Sequence, residues 1–282
     1  MGTSLRFQRA VASLLIHLLL VLGAVFCVFP FIWTLSSSIK PVEELFLYPP
    51  RLLPNQFRPE NYTRLISEFP YLTWYKNSLL IGVVVTLVST FFSALGGFGF
   101  AKYDFRFRQQ LFAVLMVALI VPRIVTFVPA YIEMALFGWI DSYWALIVPA
   151  ATPAFGIFLM RQYFAQAVPN EILDAARIDG SSEFNTFVKV ALPLVRPAVG
   201  AFAIYEFLGT WNSFFWPLVI IRSDRLLTLP LGLALFNARV EMKGEWGVMM
   251  AGIVLSLVPI FALFLLLQRQ FISGLTLGAV KG

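Results

Sequence analysis

Residues 11–33, 77–101, 111–135, 143–160, 198–221 and 247–267 form six apolar runs, and a chain carrying them is built for lipid. A spanning helix needs about 20 consecutive apolar residues. The expected fold is therefore an all-α membrane protein with six transmembrane helices. Charge content agrees: 13% of residues are charged, where a soluble domain carries about 25%.

The same numbers exclude several function classes. The net charge of +6 is dispersed along the chain, whereas nucleic-acid binders gather Lys and Arg on one face, so no nucleic acid is expected. Cys27 is the sole cysteine, which rules out a disulfide framework within the chain and reads as a small buried hydrophobe. With His17 as the sole histidine, too few soft ligands exist for an ordinary zinc site, and no metal or cofactor is expected. His17 itself reads as structural.

Arg6 and Arg9 precede the first run, which is longer than the apolar core of a signal peptide and lacks a convincing cleavage site. It is expected to remain as a span. The short loop between the second and third runs carries Lys102, Arg106 and Arg108, while the loop between the third and fourth carries Glu133 and Asp141 and no basic residue. Cytoplasmic loops are enriched in Lys and Arg, so the first of these loops is expected inside. Counting spans places residues 1–10, the polar segment 161–197 and the tail 268–282 on that side, with the long loop 36–76 outside. Prolines at 41, 49, 50, 54, 59 and 70 break that outer loop into short helical pieces at most.

The most informative stretch is a polar island at 170–197. Glu171, Asp174, Asp179 and Glu183 alternate there with Arg177, Lys189 and Arg196, and apolar residues recur at helical spacing. Asp179-Gly180-Ser181 interrupts the pattern. Gly180 suits the left-handed end of one helix, and Ser181 or Ser182 suits the start of the next. Two short amphipathic helices joined by a tight turn are expected.

This island resembles the EAA loop of ABC importer permeases. Asp174-Ala175-Ala176, Asp179-Gly180, Phe187 and Leu192-Pro193 stand where that family has its EAA triplet, DG pair, Phe and LP pair. Asp174 replaces the usual Glu, and Ser181 the usual Ala. The resemblance implies a coupling helix that docks into a cleft on an ATPase subunit, involving Glu171, Ile172, Leu173, Asp174, Ala175, Ala176, Arg177, Asp179, Gly180, Ser181 and Phe187. On this reading Ile172, Leu173 and Ala176 face the ATPase. The acidic residues serve either docking or internal support, and Asp174 has Arg177 at pairing distance along the helix.

Two further stretches extend the resemblance to the maltose-type carbohydrate branch. Ser38-Ile39-Lys40-Pro41 with Glu60-Asn61-Tyr62 look like the first external loop of sugar permeases. The closing Gly274-Leu275-Thr276 and Gly278-Ala279-Val280-Lys281-Gly282 match the end of maltose-type permeases, where the tail reaches the nucleotide-binding dimer. This implies ATPase contacts at Gly274, Gly278 and Lys281. The family implies a second permease subunit, two ATPase subunits, an extracytoplasmic solute-binding protein and a sugar or polyol substrate, in a prokaryotic inner membrane. The chain itself has no phosphate-binding G-x-x-x-x-G-K-[ST] loop, so it reads as a transporter subunit and not an enzyme.

Arg123 and Glu206 are charges within expected spans, and a charge facing lipid costs at least about 2.5–3.5 kcal/mol. Each is expected to face protein or a watery cavity, as a pathway-lining group or a satisfied structural one. Trp211 and Asn212 open an aromatic cluster in the fifth run that reads first as packing or interfacial anchoring, with sugar stacking as the alternative. Two rival classes fit the residues less well. A secondary transporter would embed carboxylates in broken helices, which only Glu206 offers, and a membrane enzyme would need convergent polar groups that the sequence does not display.

Overall fold

A computed structural model describes the backbone of residues 2–122, 124–243 and 245–279, and the side chains of 11–122, 124–237 and 245–268. Among these residues four helices are long and apolar enough to cross a membrane: Val11–Ser38, Tyr71–Lys102, Tyr143–Ala167 and Trp246–Gln268. The other two apolar runs are also helical but broken. The third run forms Arg108–Ile120 and Phe127–Leu136. Between them Val121, which precedes Pro122, takes an extended conformation (ψ 119°), as the clash of a following proline ring demands. The fifth run forms Arg196–Trp211 and Phe215–Ile220. Each of the six runs is thus largely helical; the third and fifth are broken, and the fourth passes through a 3-10 turn at Val148–Ala150 before Ala154–Ala167. Arg123 lies outside the described residues.

Boundaries shift in informative ways. The first helix extends to Ser38 and the second long helix begins at Tyr71, so the connection between them is shorter than 36–76. It contains two helical pieces, Val42–Leu45 and Glu60–Glu68. The polar stretch after the fifth run holds a helix of its own, Leu229–Lys243, and the last helix continues to Ala279.

The chain divides into two compact units. One comprises the residues up to Pro70 with Leu235–Leu257. Its helix Val11–Ser38 exposes Leu14, Leu19 and Phe26 alike, the all-round apolar surface of a membrane span or of a helix buried in a larger core. Cys27 lies exposed on it, which corrects the expectation of a buried position: among the described residues, none in the apolar window of this helix is buried. His17 Nδ1 lies 2.7 Å from the Ser13 carbonyl oxygen, one turn back along the same helix. Beyond the helix the chain is clasped by the motif residues. Asn61 Nδ2 donates to the carbonyls of Ser38 (2.9 Å) and Lys40 (3.1 Å), and the hydroxyls of Ser38 and Tyr62 lie 2.7 Å apart. Lys40 is buried, donating to the Arg51 carbonyl at 2.5 Å and lying 4.9 Å from the centre of the Trp33 ring. Buried polar groups need such partners.

The other unit comprises Tyr71–Ala234 and the residues from Val258 onward. Helix Tyr71–Lys102 is its axis, packed against Ala154–Ala167 and Arg196–Trp211. Small residues permit the close approach, as expected in lipid. A Cβ on Gly97 would stand 2.4 Å from Met160 Cβ, and one on Gly156 would stand 2.2 Å from Ser93 Oγ. Gly99, by contrast, has open space around it and owes nothing to packing. The core at one end of this trio gathers Ala94, Phe98, Met160, Phe164, Val168, Leu173, Phe187, Ala191, Val195, Ala198 and Phe202.

Candidate functional site

The polar island folds directly onto that core. Helix Asn170–Ile178 starts after Pro169 and ends in a Schellman motif. The Gly180 N–H donates to the Arg177 carbonyl and the Ser181 N–H to the Ala176 carbonyl, each at 3.0 Å. Gly180 adopts φ +78°, the left-handed conformation that glycine takes without steric cost. Ser182 then caps the next helical segment, accepting from the Asn185 N–H at 3.4 Å. This segment, Glu183–Leu194, is α-helical at its ends with a π-helical stretch over Thr186–Ala191. It meets Arg196–Trp211 at an angle of 85°. The cause is local: Pro197 has no N–H for the carbonyl of Pro193 and its ring crowds that turn, so Val195 leaves the helical region (φ −108°, ψ 13°).

Which face points inward is set by the core beneath. Leu173 and Phe187 are each 2% exposed. Phe187 packs on Phe98, with ring centres 5.3 Å apart, and on Phe164. The expectation that Leu173 faces a partner is therefore corrected, because it anchors the island to its own chain. Phe187 is likewise an anchor. Ala176 is half-buried, and Ile172 remains partly exposed. The most exposed of the island's large apolar side chains are Ile178, at 87%, and Phe184, at 59%. The sequence reading named neither among its candidate contact residues. Their signal was available: a bulky apolar residue on each side of a Gly turn, off the phase of the buried stripe.

The charges divide in the same way. Arg177 is held by Asp174 (Nη1–Oδ1 2.8 Å) and by Glu183 across the turn (Nε–Oε1 2.9 Å). Tyr103, just past the long helix, donates its hydroxyl to Glu183 Oε2, and its ring lies 5.8 Å from the Arg177 guanidinium. Lys102 Nζ donates to Asn170 Oδ1 at 3.1 Å. Glu183 first, then Asp174, raise the Arg177 pKa above its already high range. The Glu183 carboxyl is held below the ordinary range, chiefly by Arg177 and then by Tyr103. Burial, followed by the Glu183 hydrogen bond, pushes the Tyr103 phenol up. Asp174 and Glu183 therefore support the loop internally. Asp179 and Glu171 form no ion pair among the described residues and stay on the exposed side, with Ala175, Gly180 and the partly exposed Ser181 nearby.

The remaining candidates are dispersed. Gly274 and Gly278 lie along the terminal helix, and Lys281 lies outside the described residues. Glu206 lines a pocket of about 110 Å³ with Ser78, Tyr205, Thr210, Ser213 and Thr228. Trp211 does not reach it. At 2% exposure it stacks on Phe207 (5.6 Å, 17°) and meets the edge of Tyr75, so its bulk fills the helix interface. Asn212 is exposed and ends its helix by donating Nδ2 to the Leu208 carbonyl at 2.8 Å.

Residues 93–276 match the model of the family described as binding-protein-dependent transport system inner membrane component. The chain is 37% identical to the arabinooligosaccharides transport system permease protein AraQ of Halalkalibacterium halodurans, over 94% of this chain and 96% of that one. It is 34% identical to the trehalose/maltose transport system permease protein MalG of Thermococcus litoralis, over 94% and 97%. A chain of a bacterial ABC transporter involved in import of the acidic polysaccharide alginate superposes with a TM-score of 0.82 at 23% identity, covering 93% of this chain and 96% of that one. This likeness shows a shared fold.

Proposed function

The chain belongs to the binding-protein-dependent transport system inner membrane component family, and from that membership we propose that it is one permease half of an ATP-driven importer for a sugar or related polyol. It is a multi-pass membrane subunit without chemistry of its own. Its partners are a second permease subunit, two ATPase subunits and an extracytoplasmic solute-binding protein. The relatives whose names specify arabinooligosaccharides and trehalose/maltose support the carbohydrate class.

The island is the element that engages the ATPase. One observation carries this reading: Ile178 and Phe184 stand exposed on either side of a turn that is rigidly held from behind by Leu173, Phe187 and the Arg177–Glu183 pair. A helix that offers apolar anchors flanked by charges is a recognised docking mode. Asp179 and Glu171 supply the charged rim. The tail around Gly274, Gly278 and Lys281 adds a second contact with the ATPase, supported by its resemblance to maltose-type permeases. Both termini and the island lie at the cytoplasmic face, a reading supported by Lys102, Arg106 and Arg108 in the adjoining loop. Glu206, among the hydroxyls of Ser78, Thr210, Ser213 and Thr228, lines the translocation path.

A cysteine at Ile178, in a chain whose Cys27 is replaced by Ser, tests the central claim. In the complex isolated from its own membrane it is expected to cross-link to an ATP-hydrolysing subunit. In intact cells it should resist a membrane-impermeant maleimide. Labelling from outside would overturn the orientation and the docking role together.

A further inference from the structure

The strongest unassigned feature is a concavity of about 500 Å³ beside the loop that follows helix Tyr71–Lys102. It lies on the same side of the membrane as the island, because the adjoining Lys102 and Tyr103 touch Asn170 and Glu183. Two arginines from different elements line it, Arg108 at the start of helix Arg108–Ile120 and Arg161 on helix Ala154–Ala167. Arg108 is fixed in place: Nη1 bonds Asp104 Oδ1 at 2.5 Å and Nε donates to the Phe100 carbonyl at 3.0 Å. Its charge is thereby matched by Asp104, the one carboxylate lining the concavity. Arg161 differs. Its guanidinium lies 4.0 Å from the centre of the Phe112 ring, and among the described residues it forms no ion pair.

The wall therefore carries one uncompensated positive charge, with the amides of Gln109 and Gln110 beside it. No side chain caps the start of helix Arg108–Ile120, where Phe107 holds a left-handed conformation at φ 65°. The partial positive charge of a helix start adds to that of the arginine. Below the cations the surface turns apolar, through Phe112 and its neighbours Phe100 and Phe158. Phe105 and Phe107 stand exposed at the mouth. Guanidinium and amide donors above, with aromatic surface beneath, complement a phosphodiester joined to acyl chains.

We propose that this pocket binds the phosphate headgroup of an anionic phospholipid, with Arg161 as the principal contact. The inference rests on the membrane reading of the chain but not on ATPase docking. Failure of the cross-link from Ile178 would leave it standing.

The test uses the full chain, purified in detergent, delipidated and titrated with dioleoyl-phosphatidylglycerol or dioleoyl-phosphatidylcholine, with bound lipid read by native mass spectrometry. Phosphatidylglycerol is expected to bind about five-fold more tightly than phosphatidylcholine, the scale of one basic residue near a membrane surface. Arg161→Gln should abolish that preference, and Arg161→Lys should retain most of it. Should Arg161→Gln fail to fold, Gln109→Glu, at an exposed position, should weaken the preference by placing a negative charge at the mouth. Equal binding of the two lipids, or a preference unchanged in Arg161→Gln or Gln109→Glu, would overturn the proposal. So would displacement of the lipid by millimolar inorganic phosphate, which would assign the site to a soluble anion.

Discussion

Arg177 Nε lies 2.9 Å from Glu183 Oε1, and this pair ties the end of one island helix to the start of the next across the Gly180 turn. Both partners are substantially exposed, so the pair adds little to global stability. Its effect is on local order. Glu183→Gln is expected to raise amide exchange over residues 179–187 several-fold while leaving the thermal midpoint of the whole chain nearly unchanged. Hydrogen-exchange mass spectrometry checks both halves of that statement.

Gly180 has a stricter requirement. At φ +78° an alanine pays the left-handed penalty of about 1–2 kcal/mol. Gly180→Ala should loosen the turn and lower ATP-dependent uptake by the reconstituted importer, with the amount of inserted protein unchanged. Uptake rates normalised to permease content decide the matter.

Ile178 and Leu173 sit five positions apart on one helix yet should respond oppositely. Ile178→Asp leaves the fold intact, because the side chain touches little of its own chain, and should abolish ATPase co-purification. Leu173→Ala removes a buried anchor and should cost about 2–5 kcal/mol, seen as a lower midpoint in detergent. If Ile178→Asp retained the ATPase at wild-type levels, the docking face would have to lie elsewhere.

Asp141 offers a pH-dependent readout. Its Oδ1 accepts from the N–H groups of Arg222 (3.0 Å) and Ser223 (3.0 Å) and from the Ser223 hydroxyl (2.9 Å). The Arg222 amide first, then that of Ser223, hold the carboxyl below its ordinary range. A depressed folded-state pKa contributes stability that is fully present above the unfolded value, about 3.9, and is lost as pH falls through the folded value. The wild type should therefore lose this contribution only below about pH 4. Asp141→Asn, which tolerates the left-handed φ of 58° at this position, should be less stable by about 1 kcal/mol at neutral pH and converge with the wild type in acid. Thermal midpoints measured across the acid range would show it.

Gly156 sets the spacing of two spans. Gly156→Val would push into Ser93 and Phe202 and should destabilise by about 1–3 kcal/mol. Size-exclusion profiles and thermal midpoints in detergent are the readout.

The six apolar runs were legible because lipid imposes one requirement on every residue of a span, and the requirement shows in composition. The Gly180 turn and the Ser182 cap were legible because their chemistry is local. The inward face of the island was not. Leu173 and Ile178 are both bulky aliphatics on an amphipathic helix, and the choice between them is made by Phe98 and Phe164, which arrive from distant parts of the chain. The partition of the carboxylates was hidden for a similar reason. Asp174 lies within helical reach of Arg177, but Glu183 joins it only after the turn has closed, and Tyr103 only after a separate helix has packed alongside. Of the roles open to Trp211, packing is the one realised, against Phe207 and Tyr75, whereas the Cys27 thiol, suited to a core, stands exposed.

The bend at Val195 has a mechanical corollary. The Glu183–Leu194 arm stands at 85° to Arg196–Trp211, so the two have the geometry of a crank, with the island as its handle and the apolar helix as its shaft. On the docking proposed above, a push on the handle would become torque about the shaft, for which a straight helix at the same place would offer no lever.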